Sequence, residues 1–319
     1  MQLYQRLGIS EETYRFFLNF YRFVFTDIKM ILAINITNRC NLRCTHCYWW
    51  RDDHPAQLDD DSMIAFFKRQ RDAGKNMALL YGGEPMMRPN IIRAASEIFE
   101  CVVVYTNGTV NHPGLEAVWM ISLDGTREVH DKIRGKGSYD KVIKNIENEV
   151  YKKPIVHITI TRQNQYNIEA FLDEMNRNSR VQGVGFSFYT PERGKEHKDF
   201  LIPLDERDRV LDELLQLRKK YWRIMGFNKG VAHQFRTTGA YTKWNSLAKC
   251  TVTKMVDCFN SDGSHIQCIY GNNADCSRCG CTGIAIYRAA FKSFSPMSFL
   301  TAIAMVDSQN KSKNNGARH

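Results

Sequence analysis

Apolar runs recur along the first two thirds of the chain, each followed by a polar turn and, with one exception, by a helical pattern. Residues 30–37, 77–82, 101–106, 117–123, 154–161 and 182–189 read as strands, because β-branched and aliphatic residues fill them and turn residues bound them. Helical spacing covers 59–73, 89–99, 138–150 and 167–178, and Leu204, Leu211, Leu214 and Leu215 mark a charged amphipathic helix over 204–221. Such alternation predicts parallel strands joined by crossover helices. The exception follows the third strand: only eight residues separate Gly108 from Ala117, among them His112, Pro113 and Gly114, so that unit is abbreviated. Residues 1–29 read as helical, with Phe16, Phe17, Phe20, Tyr21, Phe23 and Phe25 crowded into the second half. That aromatic stripe is expected to dock on the core. A membrane-surface helix is second to it, because no dense Lys/Arg face accompanies the stripe. Residues 284–306 are apolar with breaks and too short to span a bilayer, suiting a cap over a barrel opening or a lid over a lipid-like substrate. The last dozen residues, rich in Asn, Ser and Lys, are expected to be disordered.

At 319 residues there is room for one large α/β domain and a smaller module. The net charge of +10 comes from scattered cations with a basic tail from Lys311 to Arg318, and no RNA-binding signature goes with it. A solvated basic surface is the simplest account; an acidic substrate, an anionic headgroup or a leader peptide is equally compatible, and nucleic acid is not expected. Charged residues at Arg6, Glu11, Glu12, Arg15 and Arg22 interrupt any signal-peptide apolar core. The ten cysteines therefore read as metal ligands in a reducing, cytoplasmic compartment rather than as disulfides.

Cys40, Cys44 and Cys47 lie in the loop after the first strand. A C-x3-C-x2-C triplet wraps three thiolates around one face of an iron–sulfur cube, and a four-iron cube takes four ligands, so one iron is left open. Tetrahedral zinc with His46 as the fourth ligand is the rival reading. Three further strand ends carry polar turns: Gly82-Gly83-Glu84-Pro85, Thr106-Asn107-Gly108, and Ser122-Leu123-Asp124-Gly125. Glycines in the first of these allow close backbone approach to a ligand.

Taken together, the triplet, an aromatic-type residue before its last cysteine (His46) and the ordered strand-end motifs resemble the radical S-adenosylmethionine (AdoMet) superfamily. The resemblance implies an open (β/α)6 partial TIM-type barrel with its ligands at the carboxyl ends of the strands. It implies a [4Fe–4S] cluster on Cys40, Cys44 and Cys47, whose open iron is chelated by the amino and carboxylate groups of AdoMet. Gly82, Gly83, Glu84 and Pro85 would then meet the methionine amino group. Asn107, Ser122 and Asp124 would face the ribose and carboxylate, with Arg162 a further carboxylate candidate and His46 beside the cofactor. An electron donor such as flavodoxin or ferredoxin is implied as well.

Six more cysteines lie after residue 249: Cys250, Cys258, Cys268, Cys276, Cys279 and Cys281. Cys250, Gly263 and Cys268 resemble the opening of the SPASM and twitch modules, with a hairpin of Met255 to Asn260 and His265 to Tyr270 turning at Asp262-Gly263. The resemblance, closest to the single-cluster twitch form, implies an auxiliary [4Fe–4S] cluster on Cys250, Cys268, Cys276 and either Cys279 or Cys281. Structural zinc is the rival. Cys258 is spare, and Cys101 reads as a buried strand residue. The expected organisation is a helical segment over 1–29, the barrel over 30–222, the cysteine-rich module over 223–285, and an apolar segment and tail over 286–319. The implied activity is reductive cleavage of AdoMet and hydrogen abstraction from a small molecule, lipid or peptide, the auxiliary cluster assisting. Addition of the adenosyl radical to an unsaturated lipid or isoprenoid is a second outcome, and a non-catalytic metal-binding scaffold a third.

Overall fold

A computed structural model describes residues 29–195, 198–250 and 252–291. The six expected strands form: β1 Ile31–Asn35, β2 Met77–Tyr81, β3 Cys101–Thr106, β4 Val118–Ser122, β5 Ile155–Ile160 and β6 Gly183–Phe188. They pair in parallel in chain order, and their continuous apolar runs are what a sheet covered on both faces requires. Helices α1 Asp60–Asp72, α2 Pro89–Ile98, α3 Arg127–Arg134, α4 Ser138–Glu147, α5 Ile168–Arg177 and α6 Leu204–Lys220 connect or follow them. Asp59 starts α1 by accepting a hydrogen bond from the Ser62 amide. β3 passes to β4 without a helix, as the short Gly108–Ala117 link requires. β6 and β1 do not pair, so the barrel is open.

Three features differ from the sequence reading. Helix α3 falls where no element was expected, on a short charged stretch whose burial is confined to His130 and Ile133. The last strand of the hairpin is cut to His265–Ile266 (β8), because the Gln267 amide turns to Asn272 Oδ1 and Gly271 bonds back to Cys268. The hairpin is also not a separate layer. Its first strand, β7 Val256–Phe259, pairs in parallel with β1, which extends one sheet to eight strands in the order β6-β5-β4-β3-β2-β1-β7-β8. Two further helices, α7 Lys229–Phe235 and α8 Thr282–Phe291, pack on each other, with Arg288 Nε donating to Gln234 Oε1 at 3.1 Å. The N-terminal aromatic stripe, the apolar stretch after 291 and the tail lie outside the described residues. Among the described residues no helix is long and apolar enough to cross a membrane.

Candidate functional site

Each strand-end motif sits at the carboxyl end of its strand, on one rim of the sheet. The cysteine loop leaves β1 and is joined to the turn after β2 by backbone. Gly83 N donates to Thr37 O and Glu84 N to Arg39 O, both at 2.8 Å. This junction is why two glycines stand there: a Cβ on Gly82 would overlap the Thr37 carbonyl, and one on Gly83 the Arg39 carbonyl. Gly82 also has φ of +132°, which L side chains rarely adopt. The close approach that the glycines serve is therefore to the cysteine loop itself.

Glu84 is fully buried. Its Oε1 accepts from Thr106 Oγ1 at 2.6 Å and the Met86 amide at 2.9 Å, and its Oε2 from the Asn107 amide at 2.7 Å. Burial pushes its carboxyl up, although these bonds pull the other way. Both oxygens are thus engaged by the chain, and Glu84 clamps the β2 turn to the β3 turn. Pro85 is buried at the first position of the short 3-10 turn that follows. Asn107 Nδ2 donates to Asn41 Oδ1 at 2.9 Å and lies 4.0 Å from Cys40 Sγ. Ser122 ends β4, half-buried, opposite His157.

Asp124 is the electrostatic centre of the rim. Its Oδ2 lies 2.6 Å from Arg134 Nε and 3.7 Å from His46 Nε2, and its Oδ1 accepts from the Thr159 amide at 3.0 Å. Burial alone would raise this carboxyl, but Arg134, His46 and His130 outweigh it and hold it at about 2. Arg134 reaches on to Cys44, with Nη1 4.0 Å from Sγ. His46 is lowered to about 4, chiefly by burial, and its Nδ1 has no partner. The Arg162 side chain is not turned to this rim: its guanidinium pairs with Glu206 at 2.9 Å, both side chains being partly exposed.

The three thiols of the loop are buried or half-buried and sense one another. Burial is the main cause of their raised values, Cys47 reaching about 11, with repulsion from neighbouring thiols adding to it. Donors surround the sulfurs: the Leu42 amide is 3.5 Å from Cys40 Sγ, besides the Asn107 amide and the Arg134 guanidinium. Such contacts stabilise thiolates on a cluster. Among the described residues no three Cys, His, Asp or Glu side chains close on one point as ligands of a single ion would. His46 faces Asp124, not the thiols. Three thiolates with no fourth protein ligand beside them among the described residues suit a cube with one open iron better than a tetrahedral zinc ion.

The second set assembles from three segments. Cys268, Cys276, Cys279 and Cys281 all lie within electrostatic reach of Cys250, and Cys258 within reach of Cys281. Burial drives Cys258 to about 12 and Cys279 well above its ordinary value. The strap carrying Cys276–Cys281 docks on the end of β6: Phe188 N donates to Gly280 O at 3.0 Å, and Gly280 N to Thr190 Oγ1 at 2.8 Å. Tyr48, beside Cys47, donates to Ile269 O at 3.3 Å, joining the two cysteine regions. Tyr81 and Tyr105 stack at 4.2 Å between centroids and feel the charge of Cys281. Arg134, Tyr48, Tyr81 and Tyr105 are absent from the sequence reading. Tyr81 and Tyr105 each directly precede a motif turn, which is the signal that points to them; Arg134 lies on α3, a short helix that the sequence reading does not include.

Residues 34–177 match the family model of the Radical SAM superfamily. The chain is 30% identical over 211 residues to the Fe-coproporphyrin III synthase of Methanosarcina barkeri, covering 61% of this chain and 53% of that protein. It is likewise 30% identical over 211 residues to mycofactocin maturase MftC of Mycolicibacterium smegmatis, covering 59% and 52%. The chain thus spans about half the length of these curated relatives. Its fold resembles Streptococcus suis SuiB bound to S-adenosylmethionine, with a TM-score of 0.63, 16% identity, and 83% and 69% of the two chains covered.

Proposed function

We propose that this chain, whose residues 34–177 form a radical SAM domain, is a radical SAM enzyme with a twitch-like auxiliary cluster. Cys40, Cys44 and Cys47 would hold the catalytic [4Fe–4S] cluster. When bound, the cluster and AdoMet supply hydrogen abstraction by a 5′-deoxyadenosyl radical. The chain's own part is placement. Gly82 and Gly83 press the β2 turn against the cysteine loop, and Glu84 fixes the β3 turn that carries Asn107. Asp124 and Arg134 set the charge beside Cys44, while buried, neutral His46 helps to exclude water. Gly82, Gly83, Asn107, Ser122 and Asp124 are the residues we assign to AdoMet. The barrel, over 30–222, carries this site; the region 223–285, stitched to it through β7, would hold the auxiliary cluster on Cys250, Cys268, Cys276 and Cys279 or Cys281.

The observation that carries this reading is the backbone junction between the cysteine loop and the Gly82-Gly83-Glu84-Pro85 turn. A scaffold that merely bound metal would not need two glycines pressed onto the loop that carries its thiols. The substrate is a small molecule or a peptide. The relatives include an Fe-coproporphyrin III synthase and a bacteriocin subtilosin biosynthesis protein, and these guide the choice of candidates to assay. An electron donor such as flavodoxin or ferredoxin and a reducing, cytoplasmic setting complete the proposal. The test is anaerobic: reconstituted protein with dithionite is expected to convert AdoMet to 5′-deoxyadenosine, and a Cys40/Cys44/Cys47→Ala variant is not. Equal conversion by both proteins would sink the assignment.

A further inference from the structure

A cavity of about 250 Å³ opens where β5 and β6 end, lined by apolar residues such as Ile160, Phe188, Leu201 and Ile202 and by two cationic ones, Arg207 and Arg278. Arg207, on α6, is only 2% exposed. Its guanidinium carbon lies 4.1 Å from the Tyr241 ring centre, 5.4 Å from that of Phe188 and 5.5 Å from that of Phe235. Nη2 donates to Phe235 O at 2.8 Å and Nη1 reaches Cys279 O at 3.5 Å, while the buried Nε has no partner. Among the described residues no carboxylate is in ion-pair contact with it. Aromatic faces and carbonyls offset part of the cost of burying this charge. They do not neutralise it, and buried charges are ordinarily paired.

What the cavity lacks is an anion, and a carboxylate matches the guanidinium fork in shape and charge. The remaining walls suit an alkyl stem. The volume lies below the roughly 300–1,000 Å³ that takes a whole ligand, so one arm of a larger molecule fits. The second cysteine region touches these walls, Arg207 reaching the Cys279 carbonyl, and the first lies one residue away from them: Phe200, next to Leu201, tilts against His46 with ring centres 6.1 Å apart. We propose that this cavity binds a carboxylate-bearing aliphatic arm of the substrate, with Arg207 as its cationic end; Arg278 also lines the cavity, with its Nε 3.8 Å from Asp275 Oδ2. The proposal rests on the radical SAM reading only in calling the bound molecule a substrate.

Calorimetric titration of the full, anaerobically reconstituted chain tests it, with pentanoate, pentanol and pentylamine as probes and AdoMet titrated in parallel. Pentanoate is expected to bind at least about tenfold more tightly than pentanol, and pentylamine not at all. Arg207→Gln is expected to abolish that preference. Because Arg207 also holds the Cys279 strap, Leu201→Trp provides a second route: it fills the cavity, leaves both arginines, and is expected to weaken pentanoate about tenfold or more while AdoMet affinity stays unchanged. Pentanol binding as tightly as pentanoate, no pentanoate binding, or an unaffected Leu201→Trp variant would each overturn the proposal. Failure of AdoMet to bind while pentanoate does would count against the proposed function and leave this cavity's chemistry standing.

Discussion

Cys40, Cys44 and Cys47 sit within eight residues of one loop, whereas Cys250, Cys268 and Cys276–Cys281 come from three segments that only docking on the sheet brings together. Their surroundings differ as much as their assembly. Charge surrounds the first set: Arg134 lies 4.0 Å from Cys44 and is itself held by Asp124. Tyrosines gather beside the second, with Tyr105 and Tyr270 within reach of Cys281 and Tyr48 within reach of Cys268, and its cations, Arg193 at Cys276 and Arg288 near Cys250, stand at other members of the set. A nearby cation favours the thiolate, while burial without one disfavours it. The first set needs only its own loop and the neighbouring turns to meet, whereas the second depends on the tertiary structure to draw its thiols together; in both, burial is the main force against the thiolate.

Several variants break or sharpen that contrast. The largest effect is expected from Cys40/Cys44/Cys47→Ala, in which iron and sulfide analysis of reconstituted protein falls from about eight irons to about four, the second site staying loaded. A fall from about four to none, with one zinc retained, would instead make the second site structural zinc.

Next come two glycines. Gly83→Ala drives a Cβ into the Arg39 carbonyl and is expected to empty the first site, with loss of about half the iron and all AdoMet cleavage. Gly280→Ala drives a Cβ into the Phe188 carbonyl and should empty the second site, with AdoMet cleavage retained. Spectra that follow either loss, read cluster by cluster, check the pairing; loss of both clusters in either variant would show that the two regions load as one.

Arg134→Met leaves Asp124 buried without its main partner. It is expected to cost roughly 3–5 kcal/mol, measured by denaturant unfolding. The effect should fall on the first region alone, so the second site should keep its iron at moderate denaturant.

The smallest effect concerns the polar chain between the regions. His157 lies 3.0 Å from Ser187 Oγ, which reaches Thr282, the residue after Cys281. Burial holds His157 down at about 4, with Arg134 lowering and Asp124 raising it. Between pH 6.5 and about 4 the unfolded chain takes up a proton at this residue and the folded chain does not. Stability is thus full above pH 6.5 and declines as the pH falls through that window. His157→Gln should remove this residue's share of the slope; an unchanged slope would show that it is solvated and titrates normally.

Much of this was legible in the residues. The six barrel strands stand within a residue or two of their expected ends, because each carries a mainly apolar, largely buried run bounded by turn residues. The absent third helix followed from counting residues between Gly108 and Ala117. Helix α3 was not expected, because it is only eight residues long although its charged and apolar residues fall on opposite faces, and with it Arg134 was hidden. Arg162 follows a strand as a cofactor ligand would, but a strand end does not determine which way a long side chain turns, and Glu206 on α6 draws it outward.

The sequence by itself determined the cysteine loop, the order of its companion motifs and the alternation that makes the sheet parallel, because these are local patterns written in contiguous residues. Only the tertiary structure decided the rest. It put β7 beside β1, turned Glu84 into a clamp on Thr106 and Asn107, and set Arg134 between Asp124 and Cys44. It also left Arg207 buried, with no carboxylate among the described residues paired to it, at the end of β5 and β6. Each of these depends on groups far apart in the chain, whose pairing is selected by burial and by the cost of an unpaired charge, and neither quantity exists until the chain has folded.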